Sequence, residues 1–216
     1  MGNPSPKRGR GFFITLEGGE GGGKSTQAKR LVAFIQEKGW QVLLTREPGG
    51  SSGAEDIRKL LVSGEPGRWD AMTEVLLHTA ARRDHLQRTV LPAIEAGQWV
   101  VSDRFVDSTV AYQGYGHELG AERILDLHRI ANGGFMPDLT LILDLSVEEG
   151  LARAGSRGGG EDRYERMKRD FHERLRQGFL EIAKSDPKRC KVIDASQSVE
   201  TVAAAIEVAV SGMVNI

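Results

Sequence analysis

A short segment near the amino terminus has the residue types and spacing needed to bind the phosphates of a nucleotide. Residues 18–25 read GGEGGGKS and satisfy the pattern G-x-x-x-x-G-K-[ST], with Gly18, Gly23, Lys24 and Ser25 at the defining positions. Glycines let backbone N–H groups converge on a phosphate that side chains would obstruct. Lys24 adds a positive charge for the β and γ phosphates, and the Ser25 hydroxyl is a ligand for Mg²⁺. The predicted nucleotide-binding residues of this P-loop are Gly18, Gly19, Glu20, Gly21, Gly22, Gly23, Lys24, Ser25 and Thr26.

The segments around this loop predict the elements that position it. The apolar run 12–16 has the length of a buried strand, and residues 24–38 carry apolar side chains at helical spacing. Four further apolar runs predict strands at residues 42–44, 99–101, 139–145 and 191–193. Because helical patterns fill the intervals, we predict an α/β fold with a mostly parallel five-stranded sheet and helices on both faces.

Charged side chains follow the predicted strands at the edge where the P-loop lies. Asp103 ends the third strand, where a carboxylate can bind Mg²⁺ beside a P-loop, and Asp144 at the end of the fourth is the alternative. Arg46 and Arg104 follow the second and third strands. Since the carboxyl ends of parallel strands meet at one edge of a sheet, we expect both arginines to hold one phosphate.

A glycine-rich interruption late in the chain predicts a lid. Ser146 and Glu149 have the spacing of a helix start, and the following AGSRGGG is too rich in glycine to continue the helix beyond Ala154. Asp162 with Glu165 predicts the start of a second helix, which apolar residues at helical spacing extend to residue 185. Residues 153–163 are therefore predicted to form a loop that opens and closes over a ligand.

Composition excludes several classes of protein. The 29 basic and 30 acidic side chains give a net charge of −1, which argues against a nucleic-acid partner, and no apolar stretch is long enough to span a membrane. The single cysteine, Cys190, cannot form an internal disulfide, so we expect a cytoplasmic protein. Residues 1–11 predict a flexible basic tail, and residues 12–216 a single domain. The absence of an N-K-x-D sequence argues against a GTP-dependent switch.

Longer segments resemble the bacterial thymidylate kinases. The segments are LEGGEGGGKSTQAKR, TREPGG, SDRFVDSTVAYQG, MPDLTLILDL and RAGSRGGGEDR, and the similarity runs from about residue 12 to residue 210. It implies the fold of P-loop nucleoside monophosphate kinases and a homodimer. It also implies transfer of the γ-phosphoryl group of ATP to thymidine monophosphate (dTMP), with Mg²⁺, giving dTDP and ADP for dTTP synthesis.

The resemblance assigns substrate contacts to individual side chains. Glu20 would hold the 3′-hydroxyl of the deoxyribose, and Tyr112 would crowd the 2′ position and exclude ribonucleotides. Arg82 would donate a hydrogen bond to thymine, with Thr109 and Gln113 beside the base. The implied substrate-binding residues are Glu20, Arg46, His78, Arg82, Arg104, Thr109, Tyr112 and Gln113.

Two features distinguish this chain within the resemblance. No arginine lies inside the P-loop, so the lid residues Arg157 or Arg153 would stabilise charge during transfer, and the choice between them stays open. His78 occupies a position where these kinases usually have a phenylalanine that stacks on thymine. The implied catalytic residues are Lys24, Asp103, Arg104, Arg153 and Arg157, with Ser25 and Asp103 as the metal ligands.

Two other functions remain as alternatives at this stage. One is a kinase for another small monophosphate, which a panel of acceptors would expose. The other is a regulatory ATPase, which would hydrolyse ATP slowly without an acceptor. The paired arginines Arg46 and Arg104 argue against the ATPase.

Overall fold

All five predicted strands lie in one sheet. The structure, a computed structural model, describes residues 10–65, 67–155, 164 and 167–213. The strands are β1 (Phe13–Glu17), β2 (Val42–Arg46), β3 (Trp99–Asp103), β4 (Leu139–Asp144) and β5 (Cys190–Asp194). Their order is β2-β3-β1-β4-β5, and every neighbouring pair is parallel. The predicted α/β sheet is therefore confirmed.

Helices cover both faces of this sheet. They are α1 (Lys24–Glu37), α2 (Ser52–Val62), α3 (Ala71–His85), α4 (Leu91–Glu95), α5 (Val106–Thr109), α6 (Ala121–Asn132), α7 (Val147–Gly155), α8 (Arg169–Ser185) and α9 (Val199–Ser211). Two π-helical turns, Leu86–Val90 and Val110–Gly116, join α3 to α4 and extend α5. Within the described ranges, no helix is long and apolar enough to cross a membrane.

Strand alternation divides the apolar core into two layers. Successive side chains of a strand point to opposite faces, so Phe13 and Ile14 of β1 enter different clusters. One cluster joins the sheet to α1 and α9, through residues such as Leu31 and Ile206. The other joins it to helices that include α3, α6 and α8, among them through Phe179.

This arrangement opens a crevice at the carboxyl ends of β1 and β3. The two strands pair in register, with Leu16 opposite Asp103. The chain leaves β1 for α1 on one face and leaves β3 for α5 on the other, since Val106 of α5 lies in the opposite cluster from Leu31 of α1. Adjacent parallel strands whose connections diverge in this way form the ligand crevice of α/β sheets. The P-loop and Arg104 therefore lie side by side.

The structure corrects one predicted helix boundary. Ser146 does start α7, because its hydroxyl accepts from the Glu149 N–H at 3.3 Å and donates to the Glu149 carboxylate at 2.8 Å. Asp162 and Glu165, the predicted start of a second helix, lie outside the described residues, but α8 begins at Arg169, so the prediction that Tyr164 and Met167 belong to this helix is wrong. Tyr164 and Met167 instead form a turn, with Met167 N donating to Tyr164 O at 3.1 Å, and both side chains pack against the apolar core. Packing thus overrides the local helical pattern.

Parts of the predicted tail and lid lie outside the described residues. These are residues 1–9 of the tail and residues 156–163 of the lid, including Arg157. At the described end of the tail, Arg10 Nη1 donates to Asp138 Oδ2 at 3.0 Å.

Candidate active site

The P-loop turns between β1 and α1 in a conformation that depends on glycine. Gly18, Gly21 and Gly23 all have φ between 73° and 129°, a region that side chains disfavour. A Cβ on Gly21 would also collide with the carbonyl oxygen of Gly150 on α7. The glycine pattern thus serves both the loop conformation and its close packing against α7.

Lys24 begins α1 with its ammonium group turned back over the loop. Lys24 Nζ donates to Gly18 O at 3.1 Å and to Gly19 O at 2.7 Å. Burial and the nearby charge of Arg104 lower the pKa of Lys24 from 10.5 to about 8, although Glu20 acts in the opposite direction. The cation is therefore held at the position where the P-loop would surround a phosphate.

The predicted metal ligands are adjacent. Ser25 Oγ donates to Asp103 Oδ2 at 2.5 Å at the exposed mouth of the crevice. Mg²⁺ prefers oxygen ligands and is commonly bound by one or two carboxylates together with substrate phosphates, so this pair fits the ion. The alternative, Asp144, instead accepts two hydrogen bonds of 2.8 Å from Arg176. The geometry favours Asp103.

Arg104 connects the P-loop to the rest of the crevice. Its backbone has φ 73°, which is costly for a residue with a side chain and orients the guanidinium toward the loop. Nη2 donates to Glu20 Oε1 at 3.0 Å and Nη1 donates to Gly18 O at 3.2 Å. The guanidinium also lies over the Tyr112 ring, 5.0 Å from its centroid. Burial lowers the pKa of Arg104, but the nearby Tyr112 and Glu20 together raise it by more than burial lowers it. The net pKa is therefore raised, and the guanidinium stays charged.

Glu20 is the carboxylate of the P-loop and has two hydrogen-bond donors on one oxygen. Oε1 accepts from the Tyr112 hydroxyl at 2.5 Å as well as from Arg104. Burial alone raises the pKa of Glu20, but the charges of Arg104 and Lys24 lower it, from 4.5 to about 2. Glu20 is therefore ionised at neutral pH and can accept a hydrogen bond from a ligand hydroxyl.

Glu17, which is not among the predicted site residues, joins the end of β1 to the segment that follows β3. It is fully buried and accepts from Phe105 N at 2.7 Å and from the Ser108 hydroxyl at 2.5 Å. Burial and the neighbouring Asp107 raise its pKa. The sequence signal was available, because an acid that directly continues a buried apolar strand is unusual. Glu17 fixes the turn that positions Arg104.

A buried ion pair forms the far wall of the crevice. Arg82, only 2% exposed, donates from Nε to Glu47 Oε2 at 2.8 Å and from Nη2 to Thr109 Oγ1 at 2.8 Å. Glu47, also missed from the sequence, accepts a further bond from His85 Nδ1 at 2.9 Å. Among the described residues Arg82 Nη1 has no protein acceptor within hydrogen-bonding distance, so it is available to a ligand.

Three side chains surround the same end of the crevice. Gln113 Nε2 donates to Glu74 Oε2 at 2.9 Å, and Tyr164 OH lies 3.4 Å from both Gln113 Nε2 and His78 Nε2. Tyr164 also packs edge-on against the ring of Tyr112. Tyr164 falls within the predicted second helix and is not among the predicted site residues.

These groups enclose one cavity of about 330 Å³ that runs from the P-loop to Gln113. Its lining includes every residue of the predicted substrate set, namely Glu20, Arg46, His78, Arg82, Arg104, Thr109, Tyr112 and Gln113. It also includes residues that were not predicted, namely Glu47, Pro48, Arg58, Val62, Phe105, Ser108 and Tyr164. The structure thus brings the predicted acceptor residues together.

Other predicted residues lie elsewhere. Arg153 does not line this cavity; its Nη1 donates to Ala195 O at 2.8 Å, in the connection between β5 and α9. Gly18 and Gly19 line a separate cavity of about 30 Å³ behind the P-loop. Gly22 and Thr26 line neither cavity. Arg46 reaches the main cavity from the end of β2 and is paired with Glu55 at 3.1 Å.

Fold and site together define a class of protein. A P-loop and an arginine-lined second site share one crevice of a parallel five-stranded sheet, which is the organisation of a P-loop nucleoside monophosphate kinase. Comparison with known proteins narrows this class. The sequence model of thymidylate kinase matches residues 16–206, which is most of the chain. The chain therefore belongs to the thymidylate kinase family.

Individual relatives agree with this assignment. The chain is 54% identical over 197 residues to the thymidylate kinase of Caulobacter vibrioides, covering 91% of this chain and 94% of that protein. It is 53% identical over 204 residues to that of Gluconobacter oxydans, with coverage of 92% and 93%. The crystal structure of thymidylate kinase from Ehrlichia chaffeensis superposes with a TM-score of 0.76 at 32% identity, covering 94% of this chain and 99% of that one.

Proposed function

We propose that this protein is a thymidylate kinase that transfers the γ-phosphoryl group of ATP to dTMP, giving dTDP and ADP. The observation that carries the proposal is the single cavity that joins the P-loop at Lys24 to a polar end at Arg82 and Gln113. One end suits the phosphates of ATP and the other suits a base. Family membership supports the same reaction.

The acceptor phosphate is placed by arginines. Arg46 and Arg104 line the cavity between the P-loop and the base end, and guanidinium groups bind phosphate oxygens in a fixed bidentate geometry. A phosphomonoester is already largely a dianion at pH 7, so its oxygen is a nucleophile without a general base. Holding two anions in line and neutralising their repulsion is then the main task of the protein.

Mg²⁺ would be held by Ser25 and Asp103, whose oxygens lie next to each other beside the P-loop. When bound, the ion supplies positive charge that neutralises the phosphates of ATP. Lys24 contributes a second positive charge from within the loop.

Arg157 of the lid is the proposed third source of charge. No arginine lies among residues 19–22 of the P-loop, so the charge must come from elsewhere. Arg153 is engaged with Ala195 at the end of α7, which suits it to anchoring the lid rather than to reaching the reacting phosphate. Closure of the proposed lid, residues 153–163, over the bound substrates would also exclude water and prevent hydrolysis of ATP.

The base and sugar of dTMP would occupy the far end. Arg82 offers Nη1 to the base, with Thr109 and Gln113 beside it and His78 as the stacking ring. Glu20 and Tyr112, which share a hydrogen bond of 2.5 Å, would contact the sugar. In this arrangement Glu20 accepts from the 3′-hydroxyl, and the Tyr112 ring leaves no room for a 2′-hydroxyl.

We further propose a cytoplasmic homodimer without a nucleic-acid partner. Helices α3 and α6 pack against each other and carry large exposed apolar side chains, with Leu76 52% exposed and Ile130 83% exposed. Such side chains on neighbouring helices suit a surface between two copies. The net charge of −1 is consistent with the lack of a nucleic-acid partner. The free, buried thiol of Cys190 is consistent with a cytoplasmic protein.

The test is a panel of acceptors with the purified protein, ATP and Mg²⁺. Of dTMP, dUMP, dCMP, dAMP and dGMP, dTMP is expected to have the highest kcat/KM. ATP consumption should depend on the acceptor, and omission of Mg²⁺ should abolish it. A higher kcat/KM for another monophosphate would contradict the proposal. So would a rate of ATP hydrolysis that is the same with and without an acceptor.

A pair of variants tests the acceptor site within this assay. Arg46→Gln removes a charged hydrogen-bond donor worth about 1.5–3 kcal/mol, so KM for dTMP should rise about tenfold to a hundredfold while KM for ATP stays unchanged. Arg30→Gln is the matched control, because Arg30 is also paired with an exposed carboxylate, that of Glu200 at 2.9 Å, but lies away from the cavity. Equal effects of the two substitutions on the KM for dTMP would show that Arg46 does not bind the acceptor.

A further inference from the structure

The π-helical turn Val110–Gly116 carries cavity residues but is held from outside the cavity by α8. Tyr112 of this turn lines the cavity. Helix α8 packs against the turn, and none of its residues, all of which the structure describes, lines the cavity. The Tyr112 ring packs edge-on against Phe171 and Phe179 of α8, with centroids 6.2 and 6.4 Å away. A helix without a role in the proposed mechanism therefore supports a residue of the site.

One face of α8 fits closely against the turn. Phe171, Arg174 and Gly178 are spaced by three and four residues, so these positions share one face of the helix. A Cβ on Gly178 would lie 2.7 Å from the ring of Tyr115, and a Cβ on Gly116 would lie 2.6 Å from the ring of Phe171. Neither glycine could therefore carry a side chain without displacing a ring at this contact.

Arg174 binds the peptide group that closes the turn. Its Nε and Nη2 donate to the carbonyl oxygen of Gly116 at 3.1 and 2.8 Å. The N–H of the same peptide group, that of His117, donates to Tyr112 O at 2.9 Å and spans five residues, as in a π-helix. Because a trans peptide group is planar, its C=O and N–H point in opposite directions, and a donor that fixes one also fixes the other. Arg174 is therefore connected to Tyr112 through two successive hydrogen bonds.

The Gly116 carbonyl is the main partner of this guanidinium. Arg174 Nε also lies 3.9 Å from Glu118 Oε2, but the Glu118 side chain is 73% exposed and such surface pairs contribute little. A charged donor forms a stronger hydrogen bond to a carbonyl than a neutral donor does. The Arg174 side chain is itself 42% exposed, so we expect the protein to fold without its guanidinium.

We propose that Arg174 is a positioning residue that strengthens the discrimination against ribonucleotides by fixing the turn that carries Tyr112. Without the guanidinium, the peptide group between Gly116 and His117 can rotate, and its N–H then no longer holds the Tyr112 carbonyl. The ring can move away from the sugar and leave room for a 2′-hydroxyl. This inference rests on the proposed function, in which the Tyr112 ring occupies the space beside the 2′ position.

The experiment compares dTMP with ribothymidine 5′-monophosphate as acceptors in wild type and in Arg174→Gln. The ratio of kcat/KM for dTMP to that for the ribonucleotide should fall at least threefold. The KM for ATP should stay unchanged, because the P-loop lies between β1 and α1 and not in the turn. Arg174→Lys keeps a charged donor for Gly116 O, so its ratio should lie closer to that of wild type. Arg169→Gln is the matched control on α8, since Arg169 is paired with the exposed Glu173 at 3.6 Å, and it should leave the ratio unchanged.

A fall of less than threefold in Arg174→Gln, or an equal fall in Arg169→Gln, would overturn the inference. If Arg174→Gln does not fold, Arg174→Met, which keeps the apolar part of the side chain, takes its place with the same expected fall. Failure of both variants to fold would also overturn the inference, because Arg174 would then serve the fold and not the discrimination.

The variant Tyr112→Ala separates this failure from a failure of the proposed function. If wild type uses both nucleotides equally well, or if Tyr112→Ala discriminates as well as wild type does, the proposed role of Tyr112 is wrong, and the inference is wrong with it. If Tyr112→Ala loses the discrimination and Arg174→Gln keeps it, only the role of Arg174 is wrong.

Discussion

Substitution of Glu20 by glutamine should destabilise the protein far more than the same change at an exposed carboxylate. In the folded state the pKa of Glu20 falls from 4.5 to about 2, because Arg104, Lys24 and the Tyr112 hydroxyl outweigh the effect of burial. At ~1.4 kcal/mol per pKa unit, this difference corresponds to about 3 kcal/mol of stability at pH 7. Only 18% of the side chain is exposed, so screening by solvent removes little of it.

The pH dependence of this loss has a definite sign. A carboxyl whose pKa is lower in the folded state stabilises the protein above the unfolded pKa, so the contribution is complete above about pH 5. It is lost as the pH falls from 4.5 through 2, and about 1 kcal/mol should remain at pH 3. The difference between wild type and Glu20→Gln should therefore shrink on acidification.

Urea unfolding at pH 7 and pH 3 measures this difference. Glu55→Gln is the matched control, because Glu55 is paired with Arg46 at 3.1 Å but its side chain is 38% exposed, and such surface pairs contribute less than about 1 kcal/mol. The reasoning is refuted if Glu20→Gln costs no more than Glu55→Gln at pH 7. A cost that stays the same at pH 3 would also refute it.

Three further predictions concern the same cavity and its support. Because the pKa of Lys24 is about 8 and the charged form binds phosphate, affinity for a non-hydrolysable ATP analogue should fall about tenfold from pH 7 to pH 9 by calorimetry, whereas a flat profile would contradict the role of Lys24. His78→Phe should tighten dTMP binding about threefold through added apolar contact, and weaker binding would show that this ring does not stack on the base. Gly150→Ala would bring a Cβ to 2.6 Å from Glu20 O and should lower Tm by about 2–10 °C, while Gly155→Ala, where a Cβ meets nothing, should not lower it.

The sequence predicted the parts of the fold and site that follow from local patterns. Apolar runs of strand length located all five strands, and the helical stripe after Lys24 located α1. The P-loop needs its glycines within one short segment, so its pattern is visible without knowledge of the fold. Asp103 and Arg104 could be placed because the ends of parallel strands share one edge of the sheet.

Three of the missed residues are buried carboxylates whose partners are distant in sequence. Glu17 accepts a hydrogen bond from Phe105 N, and Glu47 accepts one from Arg82. These contacts can be identified only in the folded chain. Glu74 could have been found, because it lies four and eight residues before His78 and Arg82 and so shares their helix face. An isolated glutamate in a helical pattern is otherwise typical of a solvated surface.

The boundary of α8 was wrong for a different reason. Asp162 and Glu165 match a helix start in sequence, yet the chain near Tyr164 turns so that its hydroxyl reaches Glu74 at 3.1 Å. A tertiary contact of this kind has no local signature. In the structure α8 begins after Lys168.

Transfer of a labelled γ-phosphoryl group tests the central claim most directly. The protein would be incubated with ATP labelled at the γ position, Mg²⁺ and dTMP, and the products separated. We expect the label in dTDP, formed in equal amount with ADP, and little release of inorganic phosphate when dTMP is absent. Label that appears as inorganic phosphate at the same rate with and without dTMP would contradict the assignment of the cavity as a dTMP acceptor site.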